Sequence, residues 1–273
     1  MRQDVWVTHE TVYDFDRPVE AVELRARLRP IDDAAQTVLE SDVLCHPRPA
    51  ERTRSRDGEV EHLLLRGPLR RLEVRGQSRL SWDPEARAEA ADEPPGEPGA
   101  APAWARPGGP IWRWAAATLP ATPAAPDIAA FLDGFRTRFA FDPAAGDGTT
   151  TVPAFFAAGR GVCQDFARLA AGCLQARGVP VRLAFGYLVR APLAEPRFEV
   201  GQPHAWLSAW TADAGWLDAD PTTGFAPPSR HITLRRARRL RDLQPVAGRL
   251  RAGERAGQRL TVRVTIVKDG IPP

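Results

Sequence analysis

The sequence predicts an α+β protein: a β-rich N-terminal part, then helices, then a return to strands. Three observations predict it. Residues 1–81 repeatedly alternate apolar and polar side chains. Residues 127–178 place apolar side chains at helical spacing. Residues 181–220 contain three short strand-like segments, two of which carry a histidine or an aspartate at one end.

In the first part, Val5 to Tyr13 is rich in β-branched and aromatic residues. Val22 to Leu28 and Leu72 to Ser78 alternate with period two, so these strands bury one face, as in an antiparallel sheet or sandwich. Asp57-Gly58 is a hairpin turn signal. From Asp83 to Pro110 the chain becomes rich in Pro, Gly, Ala and Glu. Such a stretch buries too little apolar surface to offset its ordering entropy, which predicts a linker or long surface loop. Trp104 is positioned to pin that loop to the body. The expected boundaries are therefore a β-rich domain over 1–81, a linker over 82–110, and a second domain over 111–273 that includes a C-terminal strand.

In the second part, Ile128, Phe131, Leu132 and Phe135 lie at i, i+3, i+4 and i+7, one face of a helix. Thr151 and Pro153 read as the cap and first turn of a short helix that Gly159 ends. The next helix begins near Cys163, carries Phe166, Leu169, Ala170, Cys173 and Leu174 on one stripe, and stops near Gly178 and Pro180. Strands are expected at Val181–Val189, His204–Trp210 and Trp216–Asp220. Beyond Pro221 the chain reads as irregular and Arg-rich, before a last alternating strand through Leu260, Val262, Val264 and Ile266.

Composition narrows the functional classes. The chain has 273 residues, 43% hydrophobic and 26% charged, an ordinary balance for a globular protein. The 37 basic and 34 acidic residues leave a formal charge of only +3. All the basic residues but Lys268 are arginine, which we read as compositional bias. No apolar run approaches the roughly 18 residues needed to span a bilayer, so no membrane association is expected. The first residues lack a signal-peptide layout. Three cysteines, Cys45, Cys163 and Cys173, are too few for a disulfide scaffold, and a reducing cytoplasm fits best. The arginines at 230, 235, 236, 238, 239 and 241 are dense enough to attract phosphate. Asp242 and Glu254 interrupt them and no nucleic-acid motif accompanies them, so a solvated or carboxylate-paired surface is expected and no nucleic-acid partner.

Cys163, His204 and Asp220 follow the chain order of papain-type nucleophilic sites. A free thiol holds little thiolate at neutral pH, and a helix N-terminus favours an anion there. A nearby imidazole accepts the thiol proton, and a carboxylate on the far ring nitrogen orients that imidazole. His204 sits on a strand joined by a short connection to the strand of Asp220, so the two fall near each other across a hairpin. The main-chain amide of Cys163 is a natural oxyanion donor. Gln164, Trp206 and Asp218 are candidates for the substrate cleft, and Asp218 is also a rival for the carboxylate role. Each residue has a plainer alternative: a buried thiol, a hydrogen-bonded core histidine, a turn-opening aspartate. Metal binding by Cys163 and His204 fits poorly, because no second ligand pair has zinc spacing.

The segments Gly161-Val162-Cys163-Gln164-Asp165-Phe166-Ala167, His204-Ala205-Trp206 and Asp220-Pro221-Thr222 resemble the nucleophile, histidine and aspartate motifs of the transglutaminase-like superfamily. Within it the chain resembles the bacterial cysteine peptidase group with a transglutaminase N-terminal domain. Arg177 to Arg182, leading to Gly186-Tyr187-Leu188, resembles that group's helix-to-strand passage. Residues 127–224 carry the resemblance well; the first 80 carry it more loosely, through Tyr13 to Val19 and Leu28-Arg29-Pro30. The resemblance implies a papain-like core in which a helix carrying Cys163 packs on an antiparallel sheet. It implies Cys163 as nucleophile, His204 as base and Asp220 as orienter, acting on a peptide, protein or small amide through a thioester. Both hydrolysis and transamidation occur in the superfamily, and no cofactor or metal is implied. Two departures stand out. Arg168 replaces a histidine often found after the nucleophile motif, and Ala237-Arg238-Arg239-Leu240 replaces a Gly-Arg-Asp-Tyr segment. The alternative is a degenerate binding or scaffold protein that keeps the fold without turnover. Nothing in the sequence marks an oligomeric state.

Overall fold

The structure, a computed structural model, describes residues 2–86, 99–145, 150–189, 197–199, 203–224, 230–239, 242–250 and 256–268. Part of the expected linker (87–98), Arg241 and Glu254 lie outside the described residues. The N-terminal strands are β1 (Gln3–Ala26), β2 (Gln36–His46), β3 (Glu51–Arg54) and β4 (Glu61–Trp82). Helices α1 (Pro110–Ala116) and α2 (Ala125–Arg138) follow, then β5 (Ala140–Phe141), α3 (Val152–Ala158), β6 (Arg160–Gly161) and α4 (Cys163–Gln175). The chain continues through β7 (Val181–Leu188), β8 (Arg197–Glu199), β9 (His204–Thr211), β10 (Gly215–Ala219), β11 (His231–Ala237), β12 (Val246–Leu250) and β13 (Gln258–Lys268).

The two alternating segments expected near the N-terminus are parts of one long strand. β1 pairs with β4 antiparallel from Gln3↔Trp82 to Ala26↔Glu61, with register shifts around Val19. Gly67 is required there, because a Cβ on it would lie 2.1 Å from the Val19 carbonyl oxygen. β13 lies beside the first half of β1 and β2 beside the second half of β4; β12 lies beside the second half of β1 and β3 beside the first half of β4. Asp57-Gly58 turns the chain between β3 and β4, with Gly58 at φ 73°.

The C-terminal strand joins this sheet rather than the one that carries His204. β13 pairs with β1 from Val5↔Lys268 to Phe15↔Gln258. Sequence order placed it with residues 111–273, but alternation carries no information about which strand is the neighbour. The second sheet is four-stranded, in the order β10-β9-β7-β11. β11 corrects the expectation of irregular chain after Pro221. Its arginines read as a charge run because their carboxylate partners are remote: Arg235 donates to Glu59 at 2.5 Å, and Arg236 to Asp33 at 2.9 Å.

One core joins both sheets and the helices. Val5, Leu80, Trp82 and Ile266 from the first sheet cluster with Ile128, Phe131, Leu132 and Phe135 of α2 and with Phe166, Leu169, Cys173 and Leu174 of α4. A second cluster, including Tyr13, Leu24, Leu65 and Leu72, fills the far half of the first sheet. Trp104 packs on the main core, and its ring lies where a Cβ on Gly172 would be, 2.1 Å away. The apolar stripe of α4 is thus anchored on three sides, which fixes the helix whose first residue is Cys163.

Candidate active site

The start of α4 is set locally. Asp165 accepts from the Val162 amide at 3.0 Å and donates its own amide to the Val162 carbonyl at 2.9 Å. This satisfies one helix-end amide and stops the chain from fraying before Cys163. Gly161 makes room: a Cβ on it would lie 2.7 Å from both Asp165 Oδ2 and the Phe155 ring. Cys163 itself is buried to 9% exposure and occupies the first helical position. Its main-chain amide is among those a helix leaves without an intrahelical acceptor.

His204 opens β9 opposite Gly186 of β7, and Asp220 follows the end of β10. Both side chains are buried. His204 Nε2 lies 2.8 Å from Asp220 Oδ2, and a carboxylate oxygen only accepts, so Nε2 donates. Asp220 Oδ1 accepts from the Thr222 amide at 2.9 Å. Burial works against a charge on His204, but the hydrogen bond to Asp220 and, after it, the influence of Cys163 outweigh burial and hold the imidazole at about 9. Burial likewise opposes the Asp220 carboxylate, yet the two imidazoles beside it keep its pKa well below the usual carboxylate range. The structure therefore joins His204 to Asp220 and sets Cys163, buried, at the start of α4. With Nε2 committed to Asp220, Nδ1 is the ring nitrogen left for the thiol.

The second imidazole is His231, the first residue of β11, which the sequence reading passed over. Its Nε2 lies 3.3 Å from the same Asp220 oxygen. On β7 the residues opposite His204 and Trp206 are the small Gly186 and Ala184, which leave room for the rings, and His231 stands opposite Leu188. Trp206 lies against both rings, 4.5 Å from His231 and 6.2 Å from His204 between centroids. The one available signal was the Ile232/Leu234 alternation just after His231.

The three expected cleft residues fall differently. Gln164 is half-buried beside Cys163. Trp206 is wholly buried, because it fills the space above the small residues of β7. Asp218 lies further along the same sheet face, opposite Ser208: Ser208 Oγ donates to its Oδ1, and Arg236 donates to its Oδ2 at 3.0 Å. Arg236 also donates to Asp33, tying this pair to the N-terminal part. Arg168, one of the departures noted above, donates to the Thr150 carbonyl at 3.1 Å. His204, Asp220 and His231 present ligand atoms within 4.8 Å of one another. A metal there would displace the two hydrogens that now bind Asp220. Among the described residues, no helix is long and apolar enough to cross a membrane.

The fold and these residues define a papain-like α+β protein with a cysteine at a helix start and a buried histidine–aspartate pair. Residues 113–221 match the transglutaminase-like superfamily core, and residues 5–81 match the bacterial transglutaminase-like N-terminal region. The chain belongs to the transglutaminase-like superfamily. It is 29% identical over 272 residues to an uncharacterised protein of Mycobacterium tuberculosis, covering 89% of this chain and 86% of that one. An uncharacterised protein of Mycobacterium leprae is 37% identical over 90 residues, covering 33% of this chain and 32% of that one. A crystal structure from Cytophaga hutchinsonii, described as a "Putative Cysteine Protease", has the same fold. The TM-score is 0.73 at 14% identity, covering 100% of this chain and 92% of that one.

Proposed function

We propose that the protein catalyses thiol-dependent acyl transfer on carboxamide or peptide bonds, with Cys163 as nucleophile, His204 as general base and acid, and Asp220 as the orienting carboxylate. The observation that carries this reading is His204: buried, bonded through Nε2 to Asp220 at 2.8 Å, and held up at about 9 against burial by Asp220 and, after it, Cys163. An imidazole that keeps its proton at neutral pH stabilises negative charge on the neighbouring sulfur. Cys163 Sγ attacks the carbonyl carbon, and the oxygen takes up charge near the Cys163 amide. His204 gives its proton to the departing amine, leaving a thioester. Water or a second amine then attacks the thioester and loses its proton to His204, and the sulfur leaves. Water gives hydrolysis and an amine gives transamidation.

Three free cysteines support placing this chemistry in a reducing compartment such as the cytoplasm. The test is hydroxylamine trapping with a mixed peptide and glutamine-amide library, read by mass spectrometry. Hydroxamates that form with the wild type and vanish in Cys163→Ala are expected. No hydroxamate, together with a Cys163 that alkylates no faster than Cys45, would overturn the reading in favour of a binding or scaffold role.

A further inference from the structure

Asp220 receives two imidazoles. His204 Nε2 and His231 Nε2 converge on one oxygen, Oδ2, at 2.8 and 3.3 Å. Because that oxygen only accepts, each Nε2 carries a hydrogen directed at it. Oδ1 holds the Thr222 amide, so three donors on two oxygens fix the carboxylate plane. Without His231 the carboxylate keeps Oδ1 as a pivot and His204 as its single ring donor.

His231 is held for this task from several sides. It is 6% exposed. Its ring lies 4.5 Å from Trp206 and 5.8 Å from His204 between centroids. Its Nδ1 is buried without a hydrogen-bond partner among the described residues. The ring therefore has one polar engagement, with Asp220. Placing a histidine inside at the cost of an unpartnered nitrogen is unfavourable for stability alone. β11 is fixed two residues further on by Gln36, whose amide bonds both main-chain groups of Thr233.

We propose that His231 is a positioning residue: it fixes the Asp220 carboxylate against His204 and acts on Cys163 only through that carboxylate. This rests on the function proposed above. The charged and titratable groups facing Asp220 are His204 from β9, His231 from β11 and, through His204, Cys163 from α4. Arg236 and Asp218 satisfy one another further along the sheet.

The test uses the full chain with His231→Phe, which keeps the ring on Trp206 but removes the donor, and His231→Gln, which restores an amide donor near the Nε2 position. Two readouts need no substrate: the pH profile of Cys163 alkylation by iodoacetamide, and the NMR titration of the His204 imidazole. For His231→Phe we expect alkylation at neutral pH to slow roughly ten- to a hundredfold, the scale of a hydrogen bond to a charged group. The His204 titration should move down from about 9. His231→Gln should recover most of both. In an Asp220→Asn background, His231→Phe should change neither. An unchanged or raised His204 titration in folded His231→Phe, or an equal loss in the Asp220→Asn background, overturns the proposal. If the His204 titration falls as expected but no hydroxamate forms with any variant, the positioning role stands and the acyl-transfer reading fails.

Discussion

Gln36 and Thr233, 197 positions apart, are joined as two neighbouring strand residues would be. The Gln36 side chain donates to the Thr233 carbonyl at 2.7 Å and accepts from the Thr233 amide at 2.8 Å. It also donates to the Ile31 carbonyl at 2.6 Å. Gln36 is wholly buried. The N-terminal sheet thereby grips β11 next to its register shift, two residues from His231. The β-rich part belongs mechanically to the site.

Gln36→Ala leaves two main-chain groups, the Thr233 amide and the Ile31 carbonyl, without this partner, while the Thr233 carbonyl keeps the Ile31 amide at 3.2 Å. Each group left buried and unpaired costs about 1–3 kcal/mol. The urea midpoint should fall by a corresponding amount with the slope unchanged. A midpoint equal to that of the wild type would show that water or a shifted β11 satisfies Thr233 instead.

The three thiols should separate by reactivity. Burial pushes Cys173 well above the ordinary thiol range. Burial pushes Cys45 up to about 11, against the nearby Arg52, which lowers it, and with a smaller push from Glu73. At pH 8, peptide mapping after brief iodoacetamide treatment should find the label on Cys163. Cys163→Ala and His204→Ala should abolish turnover and Cys173→Ala should leave it nearly intact. Label concentrated on Cys45 would contradict the assignment.

Asp218→Asn and Asp220→Asn should affect different properties. Asp218 is engaged by Arg236 and Ser208, and Arg236 is 16% exposed at its side chain. Losing that carboxylate leaves a mostly buried guanidinium with Asp33 alone, a cost of about 1–3 kcal/mol in stability and little in rate. Asp220→Asn should cut the rate far more, since Asn carries no charge for the imidazolium and, with its oxygen toward the two imidazoles, sets its donor NH2 against the Thr222 amide. The reverse ranking in kcat would exchange their roles.

The His204–Asp220 pair should leave its mark on stability against pH. The folded His204 value, about 9, lies above the unfolded value near 6.5. Its contribution is complete below pH 6.5 and is lost as pH rises through 9. The upper bound is about 3 kcal/mol, at 1.36 kcal/mol per pKa unit. Asp220, depressed, adds stability that is present above its unfolded value near 3.9 and lost under more acid conditions. The stability difference between wild type and Asp220→Asn should therefore narrow between pH 6.5 and 9. A difference that stays flat across that window would refute the coupling.

His9 predicts the opposite slope. It is buried between Tyr187 and Thr11, at 2.9 Å from each, and burial lowers its pKa to about 4. The unfolded chain takes up this proton from about pH 6.5 downward while the folded one does not, so stability falls between pH 6.5 and 4. Replacing His9 with Gln should flatten that part of the curve by up to about 3 kcal/mol. An unchanged acid limb would place the titration elsewhere.

Several features were legible because their causes are local. The stripe of Ile128, Phe131, Leu132 and Phe135 encodes its own helix, and all four are fully buried. Thr151 caps α3 by accepting from the Ala154 amide at 3.3 Å. Cys163, His204 and Asp220 could be singled out because each stands at the end of a regular element, where spacing alone places it.

By itself, then, the sequence determined the α+β class, the strands and helices with clean periodicity, and the histidine–aspartate pair that the structure joins. Only the tertiary structure decided that β13 completes the sheet begun by β1, that β11 is a strand, and that His231 shares the Asp220 oxygen with His204. The physical reason is range. Periodicity and capping act over a few residues and are written there. A buried arginine's carboxylates, a strand's neighbour and a second donor to one oxygen come from segments far away in the chain, and exist only once the core has closed.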